Sequence, residues 1–117
     1  MNTIFMTARK LFTEIPSSDA FGFTLSESLE LASQKLEEAR TGDKHTVKFP
    51  ALLGDPSLYD SIKENGVTTP VVLSYEGFVV ARMPEHHKGK PFIYNGNHRV
   101  VVAYDIDPDM IIEVQHL

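Results

Sequence analysis

Apolar residues between Thr24 and Arg40 recur at spacings of three and four, as on one face of a helix. These residues are Leu25, Leu29, Ala32, Leu36 and Ala39. Thr24 and Glu27 have the spacing of a capping box, and Gly42 stands where such a helix would end. We therefore predict an amphipathic helix over residues 24–40. The charged residues on its outer face are interpreted as solvated surface rather than as a site: Glu30, Lys35, Glu37, Glu38 and Arg40.

A second, shorter helix is predicted from its terminal signals. Asp55 suits the N-cap, Pro56 suits the first helical position, and Gly66 stands just past the last turn. The residues expected on its inner face are Leu58, Tyr59 and Ile62.

Four runs rich in β-branched and aromatic residues predict strands. In chain order they are Pro70–Leu73, Phe78–Ala81, Phe92–Tyr94 and Met110–Val114. The first two are expected to pair as a hairpin across residues 75–77. Residues 82–91 are polar and contain glycine, so they are expected to form an exposed loop.

The segment after the third strand supports two structures. Asn95-Gly96 between apolar runs is the typical signal of a two-residue hairpin turn. Alternatively, a helix begins there with Asn97 as its cap. The residues on its buried face would then be Val100, Ala103 and Tyr104. Valine lowers helix propensity by only roughly a few tenths of a kcal/mol, which packing readily overrides.

Two segments together resemble the signature blocks of the ParB/sulfiredoxin superfamily, in the form of a stand-alone ParB N-terminal-like or ParB-like nuclease domain. The first, Ser61 to Val71, has the order helix, glycine, proline-opened strand, and the second, Tyr94 to Ala103, contains Asn-Gly-Asn-His-Arg. The matched region covers residues 58–114. The resemblance implies an α+β fold, with a small mixed sheet flanked by helices, in a single domain of residues 1–117. The helix over residues 24–40 lies outside the match and is the candidate surface for a protein partner or a homodimer.

The resemblance also implies a phosphate site at a helix N-terminus, where free backbone amides and the helix dipole favour an anion. Gly96 would let the ligand approach, Arg99 would supply a charged clamp, and His98 would contact phosphate or move a proton. His98 and Arg99 are therefore the candidate catalytic residues. The phosphate-binding residues implied are Asn95, Gly96, Asn97, His98 and Arg99. Further candidates for the same cleft are Glu64, Asn65 and Thr69.

The chain departs from the superfamily pattern in two ways that limit its function. Relatives with sulfiredoxin activity carry a catalytic cysteine where this chain has Asn97, and the chain contains no cysteine at all. Sulfiredoxin chemistry, disulfides and thiolate zinc sites are therefore excluded. Chromosome-partitioning relatives continue into a helix-turn-helix DNA reader, whereas this sequence ends at Leu117. Specific operator recognition is not expected.

Composition and charge narrow the expected surroundings. The formal net charge of −5 disfavours non-specific nucleic-acid binding, which depends on Lys and Arg. No apolar run approaches the roughly 20 residues that span a bilayer, and the amino terminus lacks the features of a signal peptide. We expect a cytoplasmic protein without membrane contact, in a bacterial host if it is phage-encoded.

Two charged clusters are interpreted as surface features. For the first, the alternatives are a basic patch for nucleic acid and, at its two histidines, a metal site; for the second, the alternative is a cation loop. The members of the first are His86, His87, Lys88 and Lys90, and those of the second are Asp105, Asp107 and Asp109. Adjacent histidines in an extended loop point in opposite directions, and the acidic segment lacks the remaining ligands of a calcium loop. The acidic segment is therefore expected to be a capped polar turn.

Two function hypotheses follow. In the first, the protein binds a phosphate-containing ligand, either a nucleotide or a nucleic acid, or it binds a host protein, in each case without catalysis. In the second, it is a nuclease or a nucleotide-dependent phosphotransferase that uses His98 and Arg99, with a nucleotide and magnesium as cofactor. The acidic charge and the small size favour the first hypothesis.

Overall fold

Helices and strands alternate irregularly along the part of the chain that the structure describes. The structure is a computed structural model, and it describes residues 3–18, 24–47, 49–75 and 90–116. In chain order the elements are β1 (Thr3–Thr7), α1 (Ala8–Glu14), α2 (Leu25–Glu30), α3 (Ala32–Thr41), α4 (Leu58–Asn65), β2 (Val71–Ser74), β3 (Phe92–Asn95), α5 (Asn97–Ile106) and β4 (Ile111–His116).

The four strands form one mixed sheet in the order β1-β4-β2-β3. β4 pairs antiparallel with β1 and parallel with β2, and β2 pairs antiparallel with β3. β4 is the last of the described strands in sequence, but it lies inside the sheet between β1 and β2. The predicted α+β class, with a small mixed sheet flanked by helices in one compact domain, is confirmed.

One face of the sheet carries the main hydrophobic core. Ile112 and Val114 of β4 are fully buried, whereas Ile111 beside them is 61% exposed, which follows the alternation of side chains along a strand. The buried face packs against Leu11 of α1 and Val100 of α5. These two helices therefore cover the sheet on the same side.

A second core joins the helices to each other. Val102 of α5 packs with Ala39 of α3 and Ile62 of α4, and all three side chains are buried. Val100 belongs to the sheet core and Val102 to the helical core. α5 is therefore held between two hydrophobic layers.

The structure decides between the two predictions for the segment after Asn95. Asn97–Ile106 is a helix, so the hairpin alternative is wrong. The physical reason is burial, because Val100, Val101, Val102 and Ala103 are all buried in the helix. The N-cap is Gly96 rather than Asn97, because the left-handed backbone, with φ 102° and ψ 19°, lies at the glycine.

The helix predicted over residues 24–40 is broken at Leu31 into α2 and α3. The Thr24 cap is confirmed, since its hydroxyl accepts from the Glu27 N–H. Ser28 explains the error in the predicted inner face: its hydroxyl accepts from the Ser17 N–H at 2.8 Å and turns Ser28 inward. Leu29, about 100° further round the helix, is then 47% exposed. Lys35, assigned to the solvated face, is only 6% exposed.

The second helix begins later than predicted and ends where predicted. Its N-cap is Ser57, not Asp55, because the Ser57 hydroxyl accepts from the Asp60 N–H. Pro56 consequently precedes the cap instead of opening the helix. Gly66 ends α4 with a φ of 74°, as the sequence predicted.

Other predictions have mixed outcomes. The acidic turn is confirmed for Asp107 and Asp109, since the Asp109 N–H donates to the Asp107 carboxylate at 3.0 Å, whereas Asp105 lies within α5. The strand at residues 78–81, its hairpin pairing, and His86, His87 and Lys88 lie outside the described residues. β1 and α1 were not predicted. Among the described residues, no helix is long and apolar enough to cross a membrane.

The neighbours Ile112 and Ile111 provide a matched test of this core. Ile112→Ala should lower the free energy of unfolding by about 2–5 kcal/mol, because it leaves a cavity between the sheet and the helices. Ile111→Ala, on the exposed face of the same strand, should cost less than about 1 kcal/mol. Denaturation by guanidinium chloride measures both values. Equal losses would show that β4 does not have this orientation.

Candidate functional site

A cavity of about 770 Å³ opens at the N-terminus of α5. Its described lining comes from three separate parts of the chain: residues 44–47 after α3, residues of α4 with the segment 65–69 that follows it, and residues 94–99 across the β3–α5 turn. The cavity thus brings together all five residues implied as phosphate-binding, together with Thr69 and Asn65. Glu64 is exposed on α4 and is not one of the lining residues.

Gly96 shapes the turn in two ways. Its φ of 102° belongs to the left-handed region, which side chains with a Cβ rarely adopt. A Cβ at this position would also lie 3.0 Å from both the Arg99 Nη1 atom and the Val71 Cγ2 atom. Only glycine therefore allows β2 and the Arg99 guanidinium to approach the turn this closely.

The first turn of α5 presents unsatisfied backbone donors. α1 and α4 are capped by the hydroxyls of Thr7 and Ser57, but Gly96 has no side chain to cap α5. The first backbone bond of the helix runs from the Val100 N–H to the Gly96 carbonyl, at 3.1 Å. Within the described part of the chain, the amides ahead of Val100 in this helix have no acceptor. Such amides, together with the positive end of the helix dipole, are groups that favour a negative charge.

Arg99 supplies a fixed positive charge beside these amides. Its Nη1 atom donates to the Pro70 carbonyl at 2.8 Å, which anchors the guanidinium at the start of β2. Burial lowers the pKa of the Arg99 guanidinium from its ordinary value, because the charged form loses contact with water. No carboxylate pairs with Arg99 among the described residues. The remaining N–H groups of its fork are available to an anionic ligand.

His98 contacts Glu38, a residue that the sequence analysis assigned to the solvated face of a helix. Its Nε2 atom lies 2.9 Å from the Glu38 carboxylate oxygen Oε1 of α3. Glu38 is 42% exposed, in agreement with its interpretation as surface, but the sequence did not predict its pairing with His98. In the tautomer whose Nε2–H group donates a hydrogen bond to Glu38, the Nδ1 atom is a hydrogen-bond acceptor. No local pattern could have revealed this pair, because its members are 60 residues apart in sequence.

Lys44 and His45, in the segment after α3, also line the cavity. The sequence analysis did not identify them as site residues. The His45 N–H is fixed by the Asp43 carboxylate at 2.8 Å. The described lining includes Lys44, Arg99 and two histidines but no aspartate or glutamate. In a protein with a net charge of −5, this absence of carboxylates from the described lining concentrates positive charge at one place.

Asn97 has a partly structural role. Its Nδ2 atom donates to the Ser18 hydroxyl at 3.2 Å, while its Oδ1 atom is buried without a described partner. Asn97 therefore ties the α5 turn to the segment that follows α1. Asn97 also lines the cavity, as does Asn95, the more exposed last residue of β3.

A polar cluster behind the cavity connects the three helices around it. The Tyr59 hydroxyl of α4 donates to the Asp105 carboxylate of α5 at 2.7 Å, and Arg40 of α3 lies over the Tyr59 ring at 4.9 Å. The hydrogen bond to Asp105 raises the pKa of the Tyr59 phenol, because the neutral form is needed to donate. This cluster fixes α3, and with it Glu38, relative to α5.

The described residues do not fit a protein-bound metal. No group of three or more histidine, aspartate or glutamate side chains is placed to hold an ion in the described part of the chain. The donors around the cavity suit an anion instead, since they are cationic groups and N–H groups.

No protein-family model, curated protein or solved structure matches this chain. The resemblance to the ParB/sulfiredoxin superfamily therefore stays a prediction based on the two sequence blocks.

Gly96 and Gly54 offer a matched test of the turn. Both have a left-handed backbone, but a Cβ on Gly54 would meet nothing within 4 Å. Gly54→Ala should cost about 1–2 kcal/mol of stability from backbone strain alone. Gly96→Ala should cost roughly 1–3 kcal/mol more, because the added methyl group collides with Val71 and Arg99. Chemical denaturation measures both losses, and a Gly96→Ala cost no larger than that of Gly54→Ala would show that the approach is not close.

Proposed function

We propose that this protein binds a phosphate-containing ligand, with the phosphate at the N-terminus of α5. The observation that carries the proposal is the described lining of the cavity, which combines uncapped helix amides and Arg99 with no carboxylate. An anion there exchanges its water for charge-assisted hydrogen bonds. A neutral or cationic ligand would leave the desolvated Arg99 guanidinium without a counter-charge.

Different groups of the site would bind different parts of the phosphate. The amides at the start of α5 receive one face of the phosphate, and the free N–H groups of Arg99 bind a second oxygen. Lys44 and His45 add donors from the segment after α3. Thr69, at the end of the segment that precedes β2, offers a hydroxyl.

The size and lining of the cavity favour a nucleotide or another small phosphate ester over a nucleic-acid duplex. A volume of about 770 Å³ is within the range of roughly 300–1,000 Å³ that is typical of small-molecule sites. Val47, Leu58, Ile62 and Val67 add apolar surface beside the polar end, which suits an organic group attached to the phosphate. The net charge of −5 opposes tight binding along a polyanion. The ParB/sulfiredoxin-like blocks support the same ligand class.

Thermal unfolding with candidate ligands tests the proposal. The panel contains inorganic phosphate, ATP, ADP, CTP, GTP and a short DNA strand, each with and without magnesium. A ligand present at about 100 times its dissociation constant should stabilise the protein by about 2.7 kcal/mol. Arg99→Ala should abolish this shift, because it removes the charge beside the helix amides.

Arg9→Ala is the matched control. Arg9 is an exposed surface residue whose side chain contacts Asp109 at 3.3 Å, so its loss should leave the ligand shift unchanged. Because Arg99→Ala also removes the bond to Pro70, the ligand-induced shift is compared rather than the midpoint itself. The absence of any shift in the wild type would contradict the phosphate site.

A second candidate function is catalysis, and the Glu38–His98 pair is the observation that favours it. A carboxylate that fixes one imidazole nitrogen prepares the other to accept a proton. His98 would take the proton of an attacking water or hydroxyl group, and Arg99 would stabilise the charge on the phosphate. The reaction would be phosphodiester cleavage or phosphoryl transfer.

Binding to a host protein and a location in the bacterial cytoplasm stay predictions from the sequence.

Turnover assays separate the two functions. Hydrolysis of the ligand that gives the thermal shift, and of a labelled DNA strand, is measured for variants of three residues. His98→Ala should lower turnover by about 10²–10⁴-fold while the ligand shift persists. Glu38→Gln should lower turnover less, and Glu37→Gln, which changes an exposed neighbour on α3, should have no effect. Ligand binding without turnover in the wild type would refute catalysis and leave the binding function intact.

A further inference from the structure

The two edge strands of the sheet, β3 and β1, differ in whether other described residues bond to their outer side. The outer edge of β3 is covered by the segment Pro16–Ser18: the Ile93 N–H donates to the Pro16 carbonyl at 2.9 Å, and the Ser18 N–H donates to the Ile93 carbonyl at 3.0 Å. These bonds satisfy the outward backbone groups of Ile93, which an edge strand otherwise leaves open. The edge on the side of the candidate site is therefore covered at Ile93.

The opposite edge, β1, is not covered by any of the described residues. β1 pairs with β4 on one side, and its outward backbone groups have no partner among the described residues. The strand has the sequence Thr-Ile-Phe-Met-Thr. It therefore contains neither a charged residue nor a proline, and these are the residues that usually prevent an edge strand from pairing with another chain. β1 is thus available for a further strand.

Exposed apolar side chains continue from this edge onto the sheet face. Phe5 is 67% exposed, and Ile111 of the neighbouring β4 is 61% exposed. Both lie on one face, because Phe5 stands opposite Glu113, and Glu113 and Ile111 are two positions apart on β4. An apolar surface therefore adjoins the open backbone edge.

We propose that two copies of this chain associate by antiparallel pairing of their β1 strands about a two-fold axis at Phe5. The strand is nearly palindromic, so this register places Thr3 opposite Thr7, Ile4 opposite Met6, and Phe5 opposite Phe5 of the second copy. A two-fold interface requires such self-complementarity. Aromatic and Thr–Thr cross-strand pairs are favourable, and no like charges come to face each other.

The pairing also agrees with the two faces of the strand. Ile4 and Met6 pack against the sheet core, so their pairing extends the buried face across the axis. Phe5 from each copy meets on the exposed face and covers the other. The result is a continuous eight-stranded sheet, twice the four-stranded sheet of one chain. Both candidate sites stay open, since each lies beside β2 and β3 at the far end.

Sedimentation equilibrium over a wide range of concentration tests the dimer. The wild type should approach twice the 13.1 kDa of one chain as concentration rises. Phe5→Lys should raise the dissociation constant by roughly tenfold or more, because it places two like charges opposite each other. Phe49→Lys is the matched control: Phe49 is 65% exposed and distant in sequence from β1, so its variant should dimerise like the wild type.

Mixing two charge variants tests the register. Phe5→Lys and Phe5→Glu should each be weakened alone but should associate when mixed, because opposite charges then meet at the axis. In addition, Phe5→Cys in this cysteine-free chain should form a disulfide-linked dimer under mild oxidation, whereas Phe49→Cys should not.

Three results would overturn the proposal. A wild type that is monomeric at every concentration would leave the β1 edge for a strand of another protein. Equal behaviour of Phe5→Lys and Phe49→Lys would place the dimer contact elsewhere. Failure of the mixed charge variants to associate would refute pairing at Phe5. None of these outcomes bears on the phosphate site, whose test uses different residues.

Discussion

The rest of the structure depends on the burial of α5 between two hydrophobic layers. Val100 packs into the sheet core, and Val102 packs against α3 and α4. The helix that links the two layers contributes buried side chains to both. The β-branched residues that weaken an isolated helix are retained because each removes apolar surface from water on one side or the other.

The fixed position of α5 also places the candidate site. Gly96 turns the chain from β3 into α5, so the helix amides open toward the cavity. Arg99 then reaches back to the Pro70 carbonyl, and His98 reaches Glu38 on α3. A local turn and two long-range contacts together define the electrostatics of the site. The described lining of the cavity therefore includes Lys44 and Arg99 but no carboxylate, and the Glu38 carboxylate lies behind His98, in a protein that is acidic overall.

The candidate site and the exposed Phe5 lie toward opposite edges of the sheet. β3 is closed by the segment after α1 and carries the turn of the candidate site. β1 lies at the other end of the sheet with an open backbone edge and an exposed Phe5. The bonds from Pro16 and Ser18 occupy the outward backbone groups of Ile93 in β3, close to the turn. The proposed phosphate site and the proposed β1 pairing therefore use different surfaces.

The sequence by itself determined the features that depend on neighbouring residues: the capped start at Thr24, the end of α4 at Gly66, the buried strands and the residues of the α5 turn. Tertiary structure decided what neighbouring residues cannot encode. Asn95-Gly96 is compatible with a hairpin or a helix start, and only burial of the following valines selects the helix. Glu38 resembles any exposed helical glutamate until packing of α3 against α5 brings it to His98. Local hydrogen bonds and backbone angles depend on a few neighbouring residues, so a short segment of sequence predicts them. Burial and charge pairing depend on residues that are distant in sequence and are decided only when the chain folds.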